Sequence, residues 1–124
     1  MNTSENCIFC KIVAREIPAE IISETEDTIS FVDIAPSNFG HSLVIPKLHY
    51  KDIFEIPKEV LHKIVEVAQK ISVLLKKNLG AEGINLINSN NKVAQQDVFH
   101  YHIHVIPRYS KDKLKLISFN EEEQ

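Results

Sequence analysis

The segment from Pro57 to about Asn78 constrains the fold most, because its apolar residues recur at helical spacing over some six turns. Proline stands at its first turn, Lys76 and Lys77 fall in its last turn, and Gly80 follows its end, a combination typical of a complete helix. The apolar stripe is wide enough for more than one contact surface. A chain of 124 residues must therefore pack its remaining segments around one long helix.

The segments on either side of this helix have the patterns of short elements. They predict a short helix over residues 8–13 and strands over 21–24, 28–34, 42–45, 84–88 and 102–106. The short connections favour an antiparallel sheet of about five strands with the long helix on one face. We therefore expect a single α+β domain over residues 1–124, of which about 111–124 form a C-terminal tail.

Charge and hydropathy narrow the choice of partners. The formal net charge is -3 and the isoelectric point is near 6.1, with no cluster of basic residues, so we expect no nucleic-acid partner. No apolar stretch approaches 18 residues, and the N-terminal residues MNTSENC lack the pattern of a signal peptide. We therefore expect no membrane association and a cytoplasmic location.

Three histidines alternate in the stretch HYHIHVIP, residues 100–107. In a strand His100, His102 and His104 share one face while the residues between them face the core, so we expect an open face lined by imidazoles. Such a row can bind zinc together with a ligand from elsewhere, or it can attack phosphorus through its middle imidazole. His62, on the long helix, is interpreted as a surface residue.

These residues carry a resemblance to a known family. The stretch from His100 to Ile106 resembles the signature of the histidine triad superfamily of nucleotide hydrolases and transferases. Further motifs match its Hint-like branch in order, as far as about Tyr109. They are Ile8-Phe9-Cys10-Lys11-Ile12, Glu16-Ile17-Pro18, Phe31-Val32-Asp33-Ile34-Ala35-Pro36, Gly40-His41-Ser42-Leu43-Val44-Ile45-Pro46-Lys47 and Pro107-Arg108.

The resemblance implies a homodimer whose protomers join their sheets and bind purine nucleotides such as AMP or GMP. His102 would attack the α-phosphorus and form a nucleotidyl-histidine, without a catalytic cofactor. His104 would donate to a phosphate oxygen, and His41 would support the histidine network. The substrates implied are phosphoramidates, adenylates or dinucleoside polyphosphates.

The resemblance also implies contacts to the rest of the nucleotide. Asp33 would accept hydrogen bonds from the ribose hydroxyls, and Gln96 matches the family's loop beside the phosphate. Independent chemistry agrees, since a carboxylate suits a diol and apolar side chains suit the faces of a purine. The implied base pocket consists of Ile8, Phe9, Ile12, Phe31 and Ile34, most of which are equally consistent with a core role.

The pair Cys7 and Cys10 is consistent with a redox pair, with free buried thiols or with a metal site. The redox interpretation is disfavoured because only six residues, all but Met1 polar, precede Cys7, where a strand would be required. In zinc-bearing members of the family, the two remaining ligands are the positions of His49 and His100. The resemblance thus implies one structural zinc ion per chain.

One loop departs from the family pattern. Asn91 and Gln95 stand where the family has glycines, and Asp97 stands where it has a serine that helps the leaving group. We predict Asp97 to be a general acid, against the alternative of a solvated surface carboxylate. Two other classes of function stay open, a zinc-dependent hydrolase that uses the triad as ligands and a nucleotide-binding or interaction module with little turnover.

Overall fold

The computed structural model describes residues 4–116, so residues 117–124, most of the predicted tail, lie outside it. The helices are α1, Ile8–Val13, and α2, Lys58–Leu79, and a 3-10 turn spans Lys92–Ala94. The strands are β1, Ile21–Glu24, β2, Thr28–Val32, β3, Ser42–Pro46, β4, Gly83–Ile87, and β5, Ile103–Arg108. They form one antiparallel sheet in the order β1-β2-β3-β5-β4, which confirms the predicted α+β class.

Helix α2 lies on one face of the sheet, as predicted. Pro57 precedes its first turn, and Gly80 ends it in the left-handed conformation, at φ 69°, which costs glycine little. Its buried residues, from Ile64 to Leu75, pack against Val44, Ile103 and Val105 of the sheet. No helix within residues 4–116 is long and apolar enough to cross a membrane.

The opposite face of the sheet carries the histidines. The register pairs Phe31 of β2 with Leu43 of β3, and Leu43 in turn with His104 of β5, so these three side chains share a face. Phe9 and Ile12 of α1 pack into the apolar cluster on that face. The short helix α1 therefore covers the surface on which the site is built.

Strand β2 ends at Val32, two residues before the end predicted for it. The reason is Asp33, whose Oδ1 accepts a hydrogen bond from the Ala35 N–H over 3.0 Å and so turns the chain. The Asp33 N–H still donates to the His41 oxygen over 3.0 Å. Asp33 therefore lies just beyond the end of β2 rather than inside a strand.

Strand β5 begins at Ile103, so His100 and His102 precede it. In this segment, side chains rather than a neighbouring strand contact the backbone oxygens. His102 Nδ1 is 2.8 Å from the His100 oxygen, and Asn88 Nδ2 donates to the His102 oxygen over 2.9 Å. Asn88 was not singled out from the sequence, because nothing local distinguishes it from other loop asparagines.

Candidate active site

The three alternating histidines do not line an open face. His100 and His102 are 0% and 1% exposed, and His104 is half-buried. The expectation of an exposed row was wrong because α1 lies over it. The centroid of the Phe9 ring is 5.8 Å from that of His100 and 5.2 Å from that of His102, both edge-on. The centroids of His102 and His104 are 5.0 Å apart, so the row is contiguous.

The hydrogen bonds of His102 determine which ring nitrogen keeps a lone pair. Nδ1 is 2.8 Å from the His100 oxygen, and because a carbonyl oxygen only accepts, Nδ1 carries the proton of the neutral ring. Nε2 then keeps its lone pair and faces the Asp97 carboxylate, with 3.4 Å between Nε2 and Oδ1. A neutral imidazole in this tautomer can act as a nucleophile through Nε2.

A second chain of hydrogen bonds orients His41 and His104. The Ser37 N–H donates to His41 Nδ1 over 2.9 Å, so the proton of His41 is on Nε2. His41 Nε2 donates in turn to His104 Nδ1 over 2.9 Å. The proton of neutral His104 is therefore on Nε2, where it is available to an acceptor such as a phosphate oxygen.

Burial keeps His41 and His104 neutral at pH 7. Burial first, and then the neighbouring His102 and His41, lower the pKa of His104 to about 4, against the opposing effect of Asp33 and Asp97. Burial also lowers the pKa of His41, against the opposing attraction of Asp33. Asp33 Oδ2 is 3.4 Å from His41 Nε2 and 3.9 Å from His104 Nδ1, with 20% of its side chain exposed. The predicted ribose acceptor thus lies beside the predicted phosphate donor.

The four predicted zinc ligands come together at the other end of the row. His100 Nδ1 is 3.3 Å from Cys7 Sγ and 3.5 Å from Cys10 Sγ. Cys10 Sγ is 3.4 Å from His49 Nδ1, and one ligand atom of each residue lies within 4.8 Å of the others. Tetrahedral zinc, with bonds of about 2.3 Å to sulfur and about 2.05 Å to nitrogen, separates the two atoms by about 3.6 Å. Donor types and spacing therefore fit a structural zinc ion.

The backbone orients His100 for that role. Its Nε2 donates to the Pro46 oxygen over 2.8 Å, which leaves the lone pair on Nδ1, toward the cysteines. Burial lowers the pKa of His100 to about 4 and raises the pKa of the Cys10 thiol to about 11. His100 is therefore neutral at pH 7, and Cys10 ionises there only when a cation binds beside it.

The loop before the histidines keeps left-handed backbone conformations at the two positions where glycines were expected. Asn91 has φ 79° and ψ 157°, and Gln95 has φ 69° and ψ 29°, which are strained for residues with a side chain. Gln96 is buried and holds this loop, since its Oε1 accepts from the Asn91 N–H over 2.7 Å and its Nε2 donates to the Lys51 oxygen over 2.6 Å. Its contact with a nucleotide stays a prediction.

Asp97 projects from the end of this loop toward His102. Its side chain is 73% exposed, yet its Oδ1 is 3.4 Å from the nitrogen that can attack. The same oxygen accepts a hydrogen bond from the Val98 N–H over 2.9 Å. The carboxylate is thus both solvated and adjacent to the candidate nucleophile, and its action as an acid stays a prediction.

The residues predicted to bind the base divide into two groups. Phe9, Ile12 and Phe31 are buried, and the rings of Phe9 and Phe31 pack edge to face with centroids 5.6 Å apart. Ile8 and Ile34 are 41% and 75% exposed. Because a ligand reaches exposed side chains without movement of the core, the structure favours Ile8 and Ile34 as direct contacts.

Asp112 supports the site from the C-terminal segment and was missed in the sequence. Its Oδ2 accepts from Asn38 Nδ2 over 2.9 Å, and its Oδ1 accepts from Arg108 Nη2 over 2.8 Å. The Asn38 oxygen accepts from the His41 N–H over 3.0 Å. Asp112 therefore anchors the loop that orients His41. Arginine and aspartate four residues apart, as Arg108 and Asp112 are, occur too often in sequences to have indicated this role.

The fold and the site define an α+β protein with a buried histidine whose Nε2 keeps a lone pair, a neighbouring imidazole N–H donor and a cluster of two cysteines and two histidines. The model of the HIT domain family matches residues 14–111 of the chain. The chain therefore belongs to the HIT domain family, as the sequence motifs predicted.

Relatives and solved structures agree with this assignment. The chain is 45% identical over 115 residues to an HIT-like protein of Methanocaldococcus jannaschii, across 93% of this chain and 88% of that protein. It is 38% identical over 107 residues to the adenosine 5′-monophosphoramidase hnt1 of Schizosaccharomyces pombe, across 86% of this chain and 77% of that enzyme. A zinc-bound histidine triad family protein from Mycobacterium smegmatis superposes with a TM-score of 0.87 at 39% identity, over 95% and 86% of the two chains.

Proposed function

We propose that this protein is a purine nucleotide hydrolase or transferase that acts on the α-phosphate of nucleoside monophosphate derivatives. The observation that carries the proposal is the pair of complementary tautomers, because His102 presents a lone pair at Nε2 while His104, with its ring centroid 5.0 Å away, presents an N–H group. Membership of the HIT family and a relative named as an adenosine 5′-monophosphoramidase support the substrate class.

In the proposed reaction His102 Nε2 attacks the α-phosphorus. An N–P bond forms while the bond from phosphorus to the leaving nitrogen or oxygen breaks, with its electron pair going to the leaving atom. That atom takes a proton, which Asp97 supplies when it is protonated and water supplies when Asp97 is ionised. His104 Nε2–H donates to a non-bridging oxygen, and the Nδ1–H bond to the His100 oxygen stabilises the positive ring. Water then attacks phosphorus and gives up a proton to the Asp97 carboxylate or to solvent, the N–P bond breaks with its electron pair returning to Nε2, and the nucleoside monophosphate leaves.

The nucleotide itself is bound by groups around this centre. The Asp33 carboxylate accepts hydrogen bonds from the ribose hydroxyls, because it is an acceptor-only group just beyond the end of β2. Ile8 and Ile34 contact the faces of a purine, which makes AMP and GMP the expected products. Without these local contacts a chain of net charge -3 would not retain an anion.

One structural zinc ion per chain completes the proposal, with Cys7, Cys10, His49 and His100 as ligands. Its support is the spacing of the four donors and the zinc-bound relative. The ion would cross-link α1 to the segment that carries His102, a structural contribution. A cytoplasmic location is consistent with it, because both thiols are free of disulfides and stay reduced there.

A homodimer belongs to the same proposal. Strand β4 is at the edge of the sheet and leaves backbone groups unpaired. An apolar groove of about 770 Å³ runs between β4 and α2 and includes Val65 and Leu86, which are 48% and 51% exposed. A second copy that pairs along β4 would cover both. Sedimentation should give twice the mass of the chain, and Leu86→Lys should give the single 14.2 kDa chain.

The function is tested by AMP release from adenosine 5′-phosphoramidate. His102→Ala should lower kcat/KM at least about 10³-fold, the scale of losing a nucleophile, with the fold and zinc content unchanged. Glu59→Gln changes an exposed residue in the first turn of α2, outside the site and outside the groove, and should match wild type. Quenched wild-type reactions should contain a nucleotidyl adduct on His102. Turnover that survives in His102→Ala would contradict the proposal.

A zinc-dependent hydrolase is the second candidate, because ligand atoms of Asp97, His102 and His104 also lie within 4.8 Å of one another. The two candidates respond oppositely to excess zinc added to protein whose cysteine site is already filled. If His102 is the nucleophile, a cation on its Nε2 blocks attack and inhibits. If the triad carries a catalytic ion, the added zinc activates.

A further inference from the structure

Asp97 stands between the candidate nucleophile and a cavity. On one side its Oδ1 is 3.4 Å from His102 Nε2. On the other side it lines a cavity of about 380 Å³. Its other lining residues include two of the proposed zinc ligands, Cys7 and His49, the proposed base contact Ile8, and Ser4, Asn6, Val98 and Phe99. An acidic group on the wall of a cavity of mixed polarity can select by charge among the groups that lie beside the reacting phosphate.

The leaving group of the proposed reaction must lie close to Asp97. In-line attack begins with Nε2 about 3–3.5 Å from phosphorus and places the leaving atom on the far side, about 5 Å from Nε2. The Asp97 Oδ1 atom is 3.4 Å from the same Nε2, the distance at which the phosphorus itself must lie, so the 73% exposed side chain has to turn aside when substrate binds and then lies beside the phosphate and the first atoms of the leaving group. The cavity beside Asp97 is large enough for several further heavy atoms.

We infer that Asp97 makes the site selective for leaving groups that carry a positive charge. The inference rests on the proposed function, since it concerns the group that His102 displaces. An ionised carboxylate attracts an ammonium group about 5 Å away and repels a phosphate or carboxylate at that distance. The preferred substrates are therefore nucleoside 5′-phosphoramidates of amines that bear a second, cationic amine. Dinucleoside polyphosphates, whose leaving group is anionic, are disfavoured.

The experiment compares three AMP amides of similar size, made from 1,2-diaminoethane, n-propylamine and glycine, with a cationic, neutral and anionic leaving group. Values of kcat/KM are measured for wild type and Asp97→Asn, and their quotient for each substrate cancels the intrinsic reactivity of the amine. Relative to its effect on the neutral amide, Asp97→Asn should lower kcat/KM for the cationic amide about tenfold. It should raise kcat/KM for the anionic amide by a similar factor. Both effects should shrink with added salt.

Three control variants separate charge from other roles of Asp97. Asp97→Ser keeps a proton donor without charge, so it should lose the charge preference as Asp97→Asn does. Lys51→Gln removes a positive charge whose Nζ is 5.6 Å from the Phe99 centroid, at the wall of the same cavity, and should strengthen the preference for the cationic amide. Glu59→Gln removes an exposed negative charge in the first turn of α2 and should leave the preference unchanged.

Equal losses for all three amides in Asp97→Asn would overturn the inference and leave Asp97 a proton donor alone. Absence of AMP release by wild type would instead refute the proposed function. The charge preference is then measured by calorimetric binding of the three amides to His102→Ala, with and without Asp97→Asn. Dissociation constants that Asp97→Asn changes by the same factor for all three would overturn the inference there too.

Discussion

Two neighbouring histidines of the row, His100 and His102, present opposite ring nitrogens to their surroundings. At one end His100 is fully buried, its Nε2 donates to the Pro46 oxygen, and Nδ1 is left for the cysteines. Two residues later His102 Nδ1 donates to the His100 oxygen, and Nε2 is left toward Asp97 and His104. The difference teaches that a backbone carbonyl, by fixing which ring nitrogen carries the proton, separates the proposed metal ligand His100 from the proposed nucleophile His102.

Removal of the proposed zinc ion would break the comparison where we expect the largest effect on stability, at the His100 end. We expect Cys10→Ser, or a chelator, to lower the free energy of unfolding by about 4 kcal/mol, the contribution of a ligand present at a thousand times its dissociation constant. Urea unfolding with parallel determination of zinc content measures this. His62→Ala, which removes a histidine outside the cluster, should keep the full zinc content. A Cys10→Ser protein with full zinc content and wild-type stability would remove the distinction between the two ends.

Acid should reveal the His104 end separately. The pKa of His104 is about 4 in the folded protein and about 6.5 in an unfolded chain. Between these values the unfolded chain binds a proton that the folded protein does not, so stability falls as the pH is lowered from 6.5 toward 4. The loss from this residue is about 2 kcal/mol between pH 7 and pH 5.

His104→Gln should abolish that part of the pH dependence. The measurement is the difference in urea unfolding free energy between pH 7 and pH 5, in wild type and variant. Both proteins keep the Cys7, Cys10, His49 and His100 cluster, so acid-driven loss of metal affects them alike. Identical pH dependence in the two would show that His104 titrates normally and that its end of the row is open to water.

The elements of the fold were predictable because their signals are local. Helical spacing with Pro57 and Gly80 at the ends specified α2, and alternation specified the strands. The arrangement of the site depends instead on distant partners. His100 binds the oxygen of Pro46, 54 residues away, and Asn38 binds Asp112, 74 residues away. Motif order brought the predicted zinc ligands to notice, but no local pattern specifies a tautomer or the covering of the row by α1.

The loop that carries Asp97 to His102 offers the smallest change that sharpens the comparison, since a substitution at Gln95 replaces no histidine of the row and none of the proposed zinc ligands. Gln95→Gly should raise the free energy of unfolding by about 1 kcal/mol, because glycine adopts φ 69° without strain. Ala94→Gly, in the preceding 3-10 turn, should lower the free energy of unfolding by about 0.5–1 kcal/mol. Glycine relieves no strain at this position, and it increases the conformational entropy of the unfolded chain. Urea unfolding of the two variants decides the sign of each change in the free energy of unfolding.

If Gln95→Gly is destabilised, the contacts of the Gln95 side chain stabilise the loop by more than its backbone strain costs, and the loop is held by side-chain contacts as the His100 end is. If it is stabilised, any fall in AMP release would mean that the strained course of the loop is what places Asp97 beside His102.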